Sequence, residues 1–365
     1  MTKDEEECAY LDYQFLTNFM VDVFIGLKVP EKDAKICADV LIASDLRGIA
    51  SHGVQRLKMY YDRIKAGQQN PETKITIVKE SPTTATLDAG HGMGHVAAYR
   101  AMELAIKKAE EFGTGAVAVG NSTHYGIAGY YPLMAIKEGM IGMAVTNARP
   151  SIAPVFGIEP MMGTNPLTFG IPTDEEFPFL LDCATSITQR GKIEVLARTK
   201  TPIPAGWVIN EDGSLATDPN QILKDLSKGT AALLPLGGAS ETLGGHKGYG
   251  YAALVEILSA ALSGGPFMKD LTLEKGYKLG HFFMAIDVSK FIDLDIFKSI
   301  SGGICRALRN SKKAPGAERI YTAGEKEFYL EKEIKEKGIA VNKSIQNDLL
   351  IMKKELKLDE YTFPF

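Results

Sequence analysis

Cysteine is scarce in this chain, and long apolar runs are absent. The 365 residues include four cysteines, at positions 8, 37, 183 and 305, with no CxxC pair and no close Cys/His spacing. Such scattered thiols indicate neither a disulfide framework nor a zinc site, so we expect reduced cysteines and no metal. No window reaches the ~18–20 consecutive apolar residues of a membrane span, and the acidic residues 4–7 are unlike a secretory signal. We therefore expect a cytoplasmic protein that does not engage a membrane.

An excess of positive charge is also lacking. Lys and Arg number 41 against 45 Asp and Glu, which gives a formal net charge of −4. This balance provides no broad positive field for nucleic acid, so no nucleic-acid partner is expected. Hydrophobic residues make up 45% of the chain and charged residues 24%, which is typical of a globular protein. Because chains above about 250–300 residues usually divide between cores, two substructures are expected.

The glycine motifs of common nucleotide-binding proteins are missing as well. A Rossmann fingerprint needs GxGxxG after a strand, and residues 90–94 and 113–115 both lack the third glycine. Lys247 follows two glycines and a histidine but is not followed by Ser or Thr, so the Walker pattern fails. No GxSxG elbow occurs. The several glycine-rich loops indicate only a bound anion or cofactor of unspecified kind.

Hydrophobic periodicity predicts a mixed α/β fold. Helical spacing covers residues 30–46 and 54–64, on either side of residues 51–53. From about residue 73, short β-rich runs alternate with helical stretches, a pattern typical of α/β proteins. Strands are expected at 75–78, 116–119, 141–145, 179–181 and 282–286, and helices at 97–111, 250–262 (buried), 325–336 and 342–356. We predict a discontinuous, mainly helical domain from residues 1–72 and 297–365, with an α/β domain inserted at 73–296.

Several polar residues lie next to predicted helices and strands at positions where folding alone does not require a polar side chain. Arg56 is four residues after His52 near a helix start, and its planar fork suits a carboxylate, although an ordinary surface arginine is the alternative. His124 follows the apolar run 116–119, where α/β sheets place ligands, and its pKa suits proton transfer near neutrality; a structural histidine is equally compatible. His91 and His95 lie among glycines and indicate a loop rather than a metal site.

Two later segments suit a nucleotide. Asp182, after the apolar run 179–181, could accept hydrogen bonds from ribose or amide groups or could cap a turn, whereas Cys183 is interpreted as a small buried residue. Lys247, with the amides of a helix that starts beside it, would suit a phosphate. An exposed lysine in a flexible loop is the alternative.

Together these segments resemble the type-2 malate/L-lactate dehydrogenase family. The resemblance is carried, in order, by residues 43–48, 51–53, 121–126, 163–166, 182–186, 191–193, 203–207, 217–219, 234–238 and 246–250. It implies a non-Rossmann malate/L-lactate dehydrogenase-like fold, which explains the missing fingerprint. It also implies a homodimer that binds a nicotinamide dinucleotide, NAD or NADP, in the inserted α/β domain.

The resemblance also implies roles for individual residues. His124 would be the acid/base, and no metal would be required. The residues facing the substrate would be Ser51, His52, Arg56, Tyr60, Thr164 and Asn165, and those lining the cofactor would be Asp182, Cys183, Ala184, Lys247, Gly324 and Glu325. In oxidation, His124 would take the hydroxyl proton while Arg56 holds the carboxylate and hydride passes to the nicotinamide. This chain departs from the family at two positions. Family members commonly carry Met where Cys183 stands and often Gln where His95 stands, so the resemblance assigns no chemistry to either residue.

The predicted reaction is hydride transfer between NAD and a small 2-hydroxy acid, with malate as the expected substrate. Arg190 and Lys192 are candidate phosphate partners if the cofactor is NADP. A reductase of another 2-oxo acid, a 2,3-dioxo acid or a cyclic imine is the alternative within the family. Outside it, Ser122, His124 and Asp182 could form a hydrolytic triad, or the chain could be a silent nucleotide binder. The missing elbow argues against the first, and the presence of His124 and Arg56 against the second.

Overall fold

The structure is a computed structural model that describes residues 8–272 and 276–365. The helices are α1 (Tyr13–Gly26), α2 (Glu31–Leu46), α3 (Leu57–Lys65), α4 (Gly94–Phe112), α5 (Tyr130–Lys137), α6 (Arg190–Arg198), α7 (Pro219–Lys228), α8 (Gly245–Glu256), α9 (Leu294–Arg309), α10 (Glu325–Lys337) and α11 (Lys343–Leu356). The strands are β1 (Ala9–Leu11), β2 (Thr76–Glu80), β3 (Thr84–Asp88), β4 (Thr114–Ser122), β5 (Met140–Thr146), β6 (Leu167–Ile171), β7 (Phe179–Cys183), β8 (Val208–Asn210), β9 (Ala231–Leu233), β10 (Leu279–Asp287) and β11 (Ile339–Val341).

A seven-stranded sheet forms the centre of the described residues, in the order β2-β3-β4-β10-β5-β6-β7. Only β3 and β4 pair in parallel, and the other neighbours are antiparallel. The apolar run predicted as a strand lies in β4, next to β10 in the middle of the sheet, and Ser122 ends that strand. His124 therefore stands at the carboxyl end of a central strand, as the sequence predicts.

Small residues let α4 pack closely on this sheet. Ala101 and Ala105 of α4 are fully buried against it. Across the contact, a Cβ on Gly115 of β4 would lie 2.0 Å from the Ala105 carbonyl oxygen, so only glycine permits the approach. The helix ends at Gly113, whose φ of 88° is in the left-handed region. The loop that leads from β4 to His124 is thus anchored on a tightly packed layer.

The two ends of the chain share a second core. Helices α1, α2 and α3 pack with α11, and buried side chains such as Phe19, Leu41 and Leu349 belong to one cluster. Antiparallel pairing of β1 with β11 joins the ends further. The predicted boundary at residue 297 falls inside α9. In that helix, Arg306 forms an ion pair at 2.7 Å with Asp174, which follows strand β6 of the sheet. The division into two domains stays a prediction.

Most predicted elements are confirmed within three residues at each end. The helix predicted as buried at 250–262 is the exception. Its α-helical part is α8, which starts earlier, and a π-helical turn follows at Ile257–Ala261. Tyr251, Leu254 and Ile257 are exposed, so the prediction of a buried helix is wrong. Within the described residues, every helix is too short or too polar to cross a membrane.

Candidate active site

The loop between α2 and α3 carries three of the predicted substrate residues. Two short 3-10 turns, Ala50–His52 and Val54–Arg56, follow α2 and lead into α3. The Asp45 side chain accepts the Val54 backbone N–H at 2.7 Å, and burial raises the pKa of this carboxyl to about 8. A Cβ on Gly53 would lie 2.0 Å from Asp45 Oδ1. The buried Asp45 carboxyl therefore holds the loop in place, and only a glycine at position 53 leaves room for it.

Ser51, His52 and Arg56 are linked within this loop. Ser51 Oγ lies 2.9 Å from His52 Nδ1, and Arg56 Nε donates to the Ser51 carbonyl at 2.7 Å. Among the described residues, the two terminal nitrogens of Arg56 have no partner, so its fork is free for a carboxylate. Burial, reinforced by the charge of Arg56, lowers the pKa of His52 to about 4. The His52 ring is therefore neutral near pH 7.

His124 lies opposite this loop. The Tyr60 hydroxyl of α3 is 2.6 Å from His124 Nδ1, and the Gly126 backbone nitrogen lies 3.3 Å from the same ring nitrogen. The His52 and His124 rings stack with their centroids 5.5 Å apart. Burial, followed by the charges of neighbouring histidine and arginine side chains, lowers the pKa of His124 well below 6.5. Since Nε2 has no partner in the described parts of the chain, a neutral imidazole is ready to exchange a proton with a ligand.

A pocket of about 540 Å³ joins His124 to the edge of the sheet. Ligand pockets commonly occupy roughly 300–1,000 Å³. Of the predicted site residues, the pocket is lined by Ser51, His52, Arg56, His124, Thr164, Asp182, Cys183 and Ala184. Folding therefore brings segments from the helical region and from β7 to one cavity.

Asp182 and its neighbours form one wall of this pocket. Asp182 lies within β7, and its Oδ2 accepts the Gly129 N–H at 2.8 Å. No donor among the described residues reaches Oδ1, which leaves one acceptor oxygen for a ligand. Desolvation raises the pKa of Asp182 to about 6, and it also raises the pKa of the Cys183 thiol. Cys183 is thus a thiol rather than a nucleophile, but it is only partly buried and lines the pocket, so its interpretation as a buried residue is wrong.

Tyr60 and Asn165 support the pocket instead of lining it. Tyr60 is fully buried and reaches the site through His124. Asn165 is also fully buried; it donates to Glu256 Oε2 at 2.7 Å and accepts from the Ala148 N–H at 3.2 Å. The structure corrects their assignment as residues that face the substrate, because their polar atoms are committed to other protein groups. Asn165 instead holds the turn that follows β5.

Three predicted cofactor residues lie outside this pocket. Lys247, in the first turn of α8, lines a separate hollow of about 510 Å³ that shares no lining residue with the His124 pocket. Gly324 lies against Leu180 with a φ of 87°, and its Cβ would be 2.9 Å from the Leu180 Cβ. Glu325 is fully buried and accepts from the Thr322 N–H at 3.0 Å and from Arg319. The role of these three residues in cofactor binding stays a prediction.

The hydrolytic alternative is contradicted by the position of Ser122. Its Oγ is buried and lies 2.8 Å from His281 Nε2, not beside His124. His281 uses its other nitrogen toward Thr146 Oγ1 at 2.7 Å. His95 lies in α4 rather than in a loop, fully buried with its ring 4.7 Å from that of Tyr60. Neither His281 nor His95 lines the pocket.

Sequence reasoning missed two arginines, Arg63 and Arg149, that line the pocket. Arg63 lies seven residues after Arg56, a spacing that returns to the same helix face, so this signal was present in the sequence. Arg149 lies in the loop that follows β5, and nothing in its local sequence distinguishes it.

Comparison with known proteins identifies the family. The model of the malate/L-lactate dehydrogenase family matches residues 11–350. This chain belongs to the malate/L-lactate dehydrogenase family. The family's predicted α/β fold and oxidoreductase class are therefore confirmed.

Individual relatives agree with this assignment. The chain is 48% identical over 336 residues to a malate dehydrogenase from Pyrococcus horikoshii, covering 92% of each protein. It is 39% identical over 343 residues to an L-sulfolactate dehydrogenase from Methanocaldococcus jannaschii, covering 93% of this chain and 95% of the relative. The solved malate dehydrogenase of Entamoeba histolytica superposes with a TM-score of 0.95 at 43% identity, over 98% of this chain and 100% of that one.

Proposed function

We propose that this protein is a malate dehydrogenase that transfers hydride between NAD and the malate/oxaloacetate pair. The observation that carries the proposal is the single pocket in which an unpaired Arg56 fork and a neutral, oriented His124 face the wall formed by Asp182, Cys183 and Ala184. Malate dehydrogenases among the relatives, at 48% identity, support the choice of substrate.

The pocket wall fits a nicotinamide dinucleotide. Asp182 keeps one carboxylate oxygen free, and Cys183 and Ala184 continue the wall beside it. These three residues would hold the cofactor. When bound, a nicotinamide dinucleotide supplies hydride acceptance and donation.

The chain's own residues perform the proton chemistry. Arg56 binds the substrate carboxylate through its two free nitrogens and thereby orients the hydroxyl toward His124. With His124 Nδ1 protonated and donating to the Tyr60 oxygen, the unprotonated Nε2 takes the hydroxyl proton in oxidation and returns it in reduction. His52 is neutral near pH 7, and its ring stacks on that of His124.

NAD is the proposed cofactor, with NADP as the alternative. Arg190 lines the pocket but pairs with Glu194 at 3.0 Å, and Lys192 lies 4.9 Å from the centre of the Trp207 ring. Both candidate phosphate partners already interact with protein groups, which favours a cofactor without a ribose phosphate. Lys247, Gly324 and Glu325 stay proposed cofactor residues.

A cytoplasmic homodimer is also proposed. Exposed apolar side chains at every fourth position of α9, namely Ile296, Ile300, Ile304 and Leu308, give that helix an uncovered stripe. An uncovered stripe of this kind favours association between subunits. Light scattering of the purified protein measures the assembly, and a monomer would contradict the proposal.

The experiment that tests the function is cofactor absorbance with purified protein. NADH and NADPH are each offered oxaloacetate, pyruvate, sulfopyruvate and a cyclic imine. The expected result is fastest oxidation of NADH by oxaloacetate. Faster turnover with another acid or the imine would replace the substrate, and silence with the whole panel would overturn the proposed function.

A further inference from the structure

The pocket contains more positive charge than one carboxylate requires. Three arginines, Arg56, Arg63 and Arg149, line it together with Arg190, which pairs with Glu194. The pocket's one acidic lining residue in the described chain is Asp182. The cavity thus holds a surplus of guanidinium groups that an anionic ligand would neutralise.

Of these arginines, Arg63 is the one that lies within helix α3. It lies on α3 seven residues after Arg56, so both side chains emerge on the face that also presents Tyr60 to His124. Their Cα atoms are about 10 Å apart along the helix. Because side chains on a helix lean toward its N-terminus, the Arg63 side chain is expected to lean toward the end of α3 that Arg56 precedes.

Arg63 has no acidic partner in the described parts of the chain. It is half-buried, and its guanidinium lies 5.7 Å from the centre of the Tyr277 ring, which also lines the pocket. A cation held over an aromatic face gains modest stabilisation, but its hydrogen-bond donors remain available. Burial, together with the charges of Arg149 and Arg56, lowers the pKa of Arg63. A second anionic group bound beside Arg63 would reduce the repulsion between these arginine side chains.

We propose that Arg63 binds the distal acid group of a dianionic substrate, while Arg56 holds the carboxylate beside the reacting carbon. Arg149, at the exposed rim of the same pocket, adds attraction for that second charge. The distal group is a carboxylate or a sulfonate, since both accept from a guanidinium fork. Arg63 therefore determines specificity for diacids over monoacids. This inference rests on the proposed function, because it concerns the substrate of the same pocket.

The test compares substrates with and without the distal group. In Arg63→Gln, the ratio of kcat/KM for oxaloacetate to that for pyruvate is expected to fall roughly 10- to 100-fold, the loss typical of one charge-assisted hydrogen bond. The corresponding ratio for sulfopyruvate falls as well if the site accepts either acid. Arg63→Lys, which keeps the charge but loses the fork, should give a smaller fall, and it replaces the first variant if Arg63→Gln does not fold. Arg100→Gln is the matched surface control, because Arg100 is exposed on α4 and pairs with Glu103.

Calorimetric titration with L-malate and L-lactate gives a readout that does not depend on turnover. Weaker binding of malate alone to Arg63→Gln supports the inference. Equal losses for diacid and monoacid, or no loss for either, would overturn it and leave the proposed function intact. A wild-type protein that turns over none of these acids would instead overturn the proposed function.

Discussion

The Tyr60 hydroxyl lies 2.6 Å from His124 Nδ1, and these residues are 64 positions apart in the chain. The contact connects α3, which also carries Arg63 and begins after Arg56, to the loop after the central strand β4. It orients the imidazole whose other nitrogen faces the ligand. Substrate binding and proton transfer are therefore fixed relative to each other by one buried hydroxyl.

Tyr60→Phe removes this hydroxyl while preserving the buried ring. We expect kcat to fall up to about tenfold, because a single hydrogen bond of about 1 kcal/mol no longer orients His124. Tyr61→Phe is the matched control, since the Tyr61 hydroxyl donates to Glu355 at 2.6 Å instead. Steady-state kinetics on both variants measures the effect. Equal rates in the two variants would show that the Tyr60 hydroxyl has no part in positioning.

His124→Ala removes the acid/base itself. Turnover should fall by about 10²–10⁴-fold, the usual contribution of a positioned proton-transfer group. Dinucleotide binding, followed by NADH fluorescence, should stay nearly intact because Asp182, Cys183 and Ala184 are unchanged. Retention of most activity would remove His124 from the mechanism.

The pH dependence of malate oxidation reports the protonation of His124. Oxidation needs the neutral ring, and burial with nearby cations holds the pKa of His124 well below 6.5. Thus kcat/KM should stay level from pH 8 down to 6.5 and fall only at lower pH. Asp182, with a pKa raised to about 6, titrates in the same region, so dinucleotide binding is measured separately over that range. An acid limb centred at pH 7 or above would contradict the neutral, buried state of His124.

Gly53→Ala places a methyl group against the buried Asp45 carboxyl. Because the Cβ would lie 2.0 Å from Asp45 Oδ1, the loop with His52 must shift, at a cost of about 1–3 kcal/mol in unfolding free energy. We expect kcat to fall at least about tenfold, since small displacements of catalytic groups are costly. Gly250→Ala is the matched control, because no heavy atom lies within 4 Å of its added Cβ. Urea unfolding and kinetics measure both variants, and indistinguishable behaviour would refute the tight contact.

The sequence predicts the parts of this site that local patterns specify. The apolar run before His124 becomes β4 and places the histidine at the end of a central strand. Helical spacing locates α2 and α3 on either side of Ser51 and His52. These predictions succeed because strand and helix periodicities are local properties.

Other features depend on contacts between distant segments, which periodicity does not record. No pattern links Asn165 to Glu256, 91 positions away, although that bond removes Asn165 from the pocket. The many apolar residues of α8 predict a buried helix, but several of them are exposed in the structure. Apolar composition alone does not reveal which face of a helix other elements cover. Arg63 is a different case. Its seven-residue spacing from Arg56 is visible in the sequence, but only the structure shows that both residues line the same pocket.

Isotope transfer from malate tests the central claim most directly. L-malate carrying deuterium at C2 is incubated with the protein and NAD, and the NADH formed is analysed by mass spectrometry. Direct hydride transfer predicts one deuterium in each NADH molecule. Unlabelled NADH, or no NADH, would contradict a malate dehydrogenase in which His124 handles the proton and the hydride passes directly from substrate carbon to the nicotinamide.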